Sequence, residues 1–122
     1  MNIVAKSAEV REFFKKVVKE NKLDGILLSD MEGLGLVSYL DESIDEDTIS
    51  ASSAAIMSAG FITASDIGKS GLNQIVLDTE DGYVVFIPIR NDYILAVIAP
   101  KDTKLGILRI IAKNVEEFLE KL

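Results

Sequence analysis

The segment Thr48-Ile49-Ser50-Ala51-Ser52-Ser53-Ala54-Ala55-Ile56-Met57-Ser58-Ala59-Gly60-Phe61-Ile62-Thr63-Ala64-Ser65 runs for eighteen residues without one charged side chain. Its composition, and the capping-box pattern Ser43-x-x-Glu46 ahead of it, predict a helix over residues 43–67 with Gly68 as its stop. At 3.6 residues per turn, Ile49, Ile56, Gly60 and Ile67 fall along one side, Ala54, Met57 and Phe61 along a second, and Ala51, Ala55, Ser58 and Ile62 along a third. A helix lying on one sheet buries a single stripe and turns a charged face to water. This one has no charged face to turn. Small residues also recur four apart, at Ala51, Ala55 and Ala59 and at Gly60, Ala64 and Gly68, a spacing that lets backbones approach closely. One alternative is an Ala/Ser-rich helix with a bland solvent face. The preferred reading is that another chain covers it, and a second copy is the first candidate, because most soluble oligomers are symmetric homo-oligomers.

Upstream, Val10, Phe13, Phe14, Val17 and Val18 recur at helical spacing, which predicts an amphipathic helix with Ser7 as N-cap and an end near Asn21. Residues 25–29 and 36–40 read as strands joined by the turn residues 30–35. Downstream, residues 72–77, 83–89 and 93–99 read as three more strands, with Asp81-Gly82 as a tight turn and Pro100 ending the last. Leu105, Leu108, Ala112, Val115, Leu119 and Leu122 then stripe a final helix, capped by Asp102 or Thr103. The order is α-ββ-α-βββ-α. Residues 83–87 and 93–98 are continuous apolar runs, as in strands covered on both faces, while the short connections make the sheet mainly antiparallel. The expected fold is α/β (α+β): a three-layer sandwich with a five-stranded, mainly antiparallel sheet between helices on each side, in one domain over residues 1–122. Residues 72–77 lack the Pro or charge that protects an exposed edge strand. At the sheet edge this strand could pair with its own copy across a two-fold axis.

The chain has 122 residues and a net charge of −7, with 48% apolar residues, and it contains neither Cys nor His. That removes disulfides, thiolate metal sites, thiol nucleophiles and the commonest general base. The charge is unevenly placed. Residues 1–22 hold six Lys/Arg against three acids, whereas residues 23–68 hold nine acids and no Lys or Arg. Such acidity opposes nucleic acid and anionic membrane surfaces, so neither nucleic-acid binding nor membrane insertion is expected. The acidic segment reads either as a solvated face or as a docking surface for a basic partner, with Asp45, Glu46 and Asp47 at its approach to the helix. Residues 1–6 are too short for a signal-peptide core, and a cytoplasmic location is expected. Gly33-Leu34-Gly35 fails as a phosphate loop, because Ser38 stands at the third glycine position and a strand follows. Residues 41–47 lack the glycine and terminal Glu of a calcium loop. No catalytic, cofactor or metal site is singled out.

The order of elements, together with Gly25-Ile26-Leu27-Leu28-Ser29-Asp30-Met31-Glu32-Gly33, the helix around Ser53-Ala54-Ala55 and Leu105-Gly106-Ile107-Leu108-Arg109, resembles the Roadblock/LC7 family over essentially the whole chain. Lys104 stands where that pattern commonly has Asn, and Arg90-Asn91-Asp92 replaces a glycine-bearing turn. The resemblance implies a homodimer with paired second helices and third strands in one ten-stranded sheet. It also implies a non-catalytic regulator or scaffold for a Ras-like small GTPase, in a family that includes dynein-associated and lysosomal scaffolds. The interface is placed on Ile49, Ser53, Ile56, Gly60, Ala64, Ile67, Leu72, Gln74 and Val76, and partner contacts on Asp45, Glu46, Asp47, Ser52, Ala55 and Ala59. The alternative is a small-ligand sensor of PAS- or GAF-like architecture, which needs a cavity with convergent polar groups.

Overall fold

The computed structural model describes residues 1–122 and has the expected order: α1 (Ser7–Asn21), β1 (Gly25–Asp30), β2 (Gly35–Leu40), α2 (Glu46–Asp66), β3 (Ile75–Asp78), β4 (Gly82–Ile89), β5 (Tyr93–Pro100) and α3 (Leu105–Glu120). The strands form one sheet in the order β2-β1-β5-β4-β3, with every neighbouring pair antiparallel. Because side chains alternate along a strand, Ile26, Leu28, Val85, Leu95 and Val97 enter the layer beneath α1 and α3, while Leu27, Phe86, Ile94 and Ala96 enter the layer beneath α2. This is the two-sided burial that the continuous apolar runs call for.

The two layers are unequal. Nineteen buried residues form the α1/α3 layer, where Phe13 and Phe118 stack with ring centroids 4.1 Å apart. Only five apolar residues, Leu27, Met57, Phe86, Ile94 and Ala96, are buried beneath α2, and a rim of half-buried residues surrounds them. The fold therefore rests on α1 and α3, and α2 covers its face of the sheet incompletely.

Several element ends differ from expectation. Ser7 is the first helical residue of α1, not its cap; Lys6 takes the cap position without a side-chain bond. Asn21 does not adopt the left-handed conformation that ends α1. Its side chain donates to Val17 O at 2.9 Å, and Lys22 takes φ 54° and ψ 44° instead. The following Leu23 N–H then closes on Val18 O at 3.0 Å as Leu23 buries its side chain. Helix α3 is capped by neither Asp102 nor Thr103, which lie in a turn closed by Thr103 N to Pro100 O at 3.1 Å; Lys104 holds the cap position. Strand β3 starts only at Ile75, where pairing with β4 begins opposite Phe86, so Leu72 and Gln74 precede it. Pro88 is tolerated within β4 because β3 does not reach that far along it.

A lysine in the left-handed region carries strain that glycine does not. Lys22→Gly should raise unfolding free energy by about 0.5–1 kcal/mol in urea titration, the left-handed penalty outweighing glycine's greater entropy in the unfolded chain. No gain would mean that the Leu23 contact, not the backbone of Lys22, sets this turn.

Candidate functional site

The N-terminus of α2 is built by Asp45, whose carboxylate accepts from the Thr48 hydroxyl at 2.7 Å and the Thr48 N–H at 2.9 Å. The hydroxyl bond, then the backbone bond, holds the Asp45 carboxyl below the usual range. Ser43 is therefore not the cap. It sits in the preceding turn and bonds to the Asp41 carboxylate, which is lowered by the Ser43 hydroxyl and N–H in the same way. Of the three acids expected to meet a partner, Asp45 is committed to capping, Glu46 lies half-buried against Gly35, and Asp47 is exposed.

The helix presents three distinct sides. Ser50, Ser53 and Met57 point into the sheet and are buried. Ser53, expected at the surface between subunits, is fully enclosed within its own chain and donates to Ile49 O at 2.7 Å; it cannot meet a second copy. Gly33 and Gly35 let the hairpin tip come against this half of the helix, where a Cβ on Gly35 would lie 2.7 Å from Ser50 Oγ. Ile49 and Ile56 are half-buried on the flank that also carries Gly60 and faces Leu72 and Ile75. The outer ridge holds Ser52, Ala55 and Ala59 as expected, all exposed, and adds Thr48, Ala51, Ser58, Ile62 and Thr63. Ile62 is 60% exposed and Ile67, at the C-cap, 65%.

Gly60 does not lie on the outward side. A Cβ there would collide with Ile75 Cδ1 and approach Leu72 Cδ2 to 3.3 Å, so its lack of a side chain seats α2 against the chain leading into β3. Ala64 is half-buried near the same end of the helix. Beyond Gly60, β3 is the sheet edge, paired only with β4, and its Val76 and Leu77 are 36% and 45% exposed. The flank of α2 and this unpaired strand thus form one continuous surface.

Sequence reasoning did not identify a second exposed apolar strip. Leu105, Ile107 and Ile110 stand out from α3, with Ile107 and Ile110 edging a groove of about 490 Å³ between α1 and α3. Leu105 was expected in the α3 stripe but is 41% exposed at the first turn, whereas the departure of Ile107 and Ile110 from the buried stripe Leu108, Ala112, Val115 and Leu119 was the available signal. No three His, Cys, Asp or Glu side chains converge as metal ligands, and no helix is long and apolar enough to cross a membrane.

Residues 9–99 match the sequence profile of the Roadblock/LC7 domain. The uncharacterised protein MJ0714 of Methanocaldococcus jannaschii is 27% identical over 117 residues, covering 93% of this chain and 98% of that protein. Among solved structures, MglB of Myxococcus xanthus superposes with a TM-score of 0.86 at 19% identity, over 95% of this chain and 88% of that one. An MglB described as having a tetrameric arrangement superposes at 0.80 and 18% identity, over 99% and 90% of the two chains.

Two predictions follow from α2. Gly60→Leu should lower the melting temperature and speed hydrogen exchange at residues 75–78, while Gly60→Ala, which displaces only the flexible tip of Ile75, should do so less; equal exchange in both would detach Gly60 from the edge strand. Asp45→Ala should reduce stability at neutral pH. Since the folded pKa of Asp45 is depressed, its contribution is full above the unfolded value of about 3.9 and disappears as pH falls through the lower folded value, so wild type and variant should converge in acid. A gap that persists in acid would assign the effect to something other than the charged cap.

Proposed function

Because this chain belongs to the Roadblock/LC7 domain family, we propose that it is a homodimeric, non-catalytic regulator or scaffold that binds a Ras-like small GTPase on the outer ridge of α2. The observation that carries this reading is the uncharged flank and ridge of α2 running into an unpaired, apolar sheet edge. Pairing β3 with its copy across a two-fold would satisfy that edge and cover Val76, Leu77 and Ile67. The protomer exposes 7,079 Å², against roughly 6,500 Å² for a monomer of this mass, as expected for a subunit with surface left to bury. Ile49, Ile56, Gly60 and Ala64 then lie along or beneath the joined flanks, and Ser52, Ala55 and Ala59 remain outward.

The two outer ridges form one shallow apolar surface, with the acids Asp41, Glu42 and Asp47 near the start of each helix. Such a surface suits a partner with an apolar centre and a basic rim, its charges steering encounter more than setting affinity. Residues 23–68 contain no arginine, so this surface offers no arginine finger. Any stimulation of GTP hydrolysis would come from ordering the GTPase's own catalytic groups. The sensor reading is less well supported, because Leu27, Met57, Phe86 and Ile94 fill the space beneath α2 that a ligand would need.

The test uses the small GTPase encoded nearest this gene, loaded with a non-hydrolysable GTP analogue. Sedimentation should show a dimer that binds the loaded GTPase. Ala55→Arg with Asp47→Lys should weaken that complex at least about tenfold while leaving the dimer intact. A protein that stays monomeric at high concentration overturns the dimer, and unchanged affinity in the double variant removes the ridge from the contact.

A further inference from the structure

The free side of β3 determines what a second copy brings with it. Ile75 packs into the layer beneath α2, so Leu77 points to that layer, whereas Gln74, Val76 and Asp78 point to the α3 layer. On that side Gln74 lines an open recess of about 170 Å³ with Asn73, Ile87, and Arg109, Lys113 and Glu116 of α3. Neither Arg109 nor Lys113 has an ion-pair partner within the protomer, whose two ion pairs are Arg90 with Glu120 and Lys101 with Asp78.

A two-fold axis perpendicular to the sheet keeps both α2 layers on one side and pairs residues that share a face. With the four-residue strand Ile75–Asp78, the axis passes through Val76 or Leu77. The first choice sets Gln74 opposite Asp78 of the partner subunit, and the second sets it opposite Glu80 of the partner subunit. Either way the acidic turn Asp78-Thr79-Glu80-Asp81 arrives beside the recess, and directly opposed Cβ atoms lie about 4.5–5.5 Å apart, within reach of Arg and Lys side chains. Asp78 is held by Lys101 of its own chain, which leaves Glu80 and Asp81 free.

We propose that the recess is an intersubunit ion-pair site, in which Arg109 and Lys113 receive Glu80 and Asp81 of the partner subunit and fix the register of the β3 pair. The site rests on the homodimer reading and occurs twice by symmetry. A short edge of Val and Leu specifies register weakly, because slipping it by two residues keeps the same side chains on each face. The charges at its two ends discriminate among those registers.

Sedimentation equilibrium at low and high salt tests the proposal. The wild-type dimer should weaken with salt. Arg109→Glu with Lys113→Glu should raise the dimer Kd roughly tenfold at low salt, as should Glu80→Lys with Asp81→Lys, and combining all four should return it to within about threefold of wild type. The chain has no cysteine, so Lys113→Cys with Glu80→Cys provides an independent readout. These positions flank opposite ends of β3, and a short bis-maleimide, whose reach replaces that of the long charged side chains, should yield a covalently linked dimer. A wild-type dimer that is indifferent to charge reversal, reversals that do not rescue one another, or a cysteine pair that never links subunits overturns the ion-pair site alone. A wild-type protein that sediments as a monomer at every concentration overturns the homodimer and this site with it.

Discussion

The seating of α2 against the sheet is the contact on which the rest of the molecule depends. Ser50, Ser53 and Gly60 on the helix, with Gly33 and Gly35 on the hairpin, replace the bulky side chains that would otherwise hold helix and sheet apart. Close seating leaves room for few core side chains, and the layer holds only five buried ones. Those five anchor the middle of α2. Toward β3, Ile49, Ile56, Leu72 and Ile75 stay half-buried, so the layer is open along the edge of the sheet.

The opposite layer explains why such an open face is tolerated. Beneath α1 and α3, burial is extensive and includes Val10, Phe14, Leu28, Leu95, Val97, Leu108, Val115 and Leu119, all essentially inaccessible. Each such side chain removed from water contributes on the order of 1.5–3 kcal/mol, and truncating one leaves a cavity that adds to the loss. With cohesion concentrated there, α2 is free to carry small uncharged residues on its outside. An uncharged outer face of this kind has the composition of a contact surface more than of one built only to face solvent.

Most of this was legible in the sequence wherever periodicity was strong. The stripes of α1 and α3, and the unbroken apolar runs of β4 and β5, identify a sheet covered on both sides. The uncharged stretch of α2 is a property of composition and needs no register to be seen. What failed were choices between neighbours of similar chemistry. Ser43 and Asp45 both suit a helix cap, and the Thr48 hydroxyl decided for Asp45. Asn21 tolerates a left-handed backbone better than Lys22, but its amide was engaged by Val17. Ser53 was placed between subunits on the strength of the resemblance, yet on a closely seated helix a hydroxyl that bonds back to Ile49 O fits the buried side. Gly60 was visible as a point of close approach, but only the fold shows that the approach is to Ile75 of the same chain.

The division of charge completes this arrangement. Helix α1 sets Arg11, Lys15, Lys16 and Lys19 among Glu9, Glu12 and Glu20, and α3 sets Arg109 and Lys113 among Glu116, Glu117 and Glu120, whereas α2 and the turn before it carry Asp41, Glu42, Asp45, Glu46, Asp47 and Asp66 with no base among them. The sheet separates these two groups, so the α2 side is acidic while the α1/α3 side is mixed in charge. Helix composition, edge strand and charge placement therefore mark the same side of the sheet: the α2 face combines an acidic helix start, an uncharged ridge and an unpaired edge, and the opposite face has none of the three.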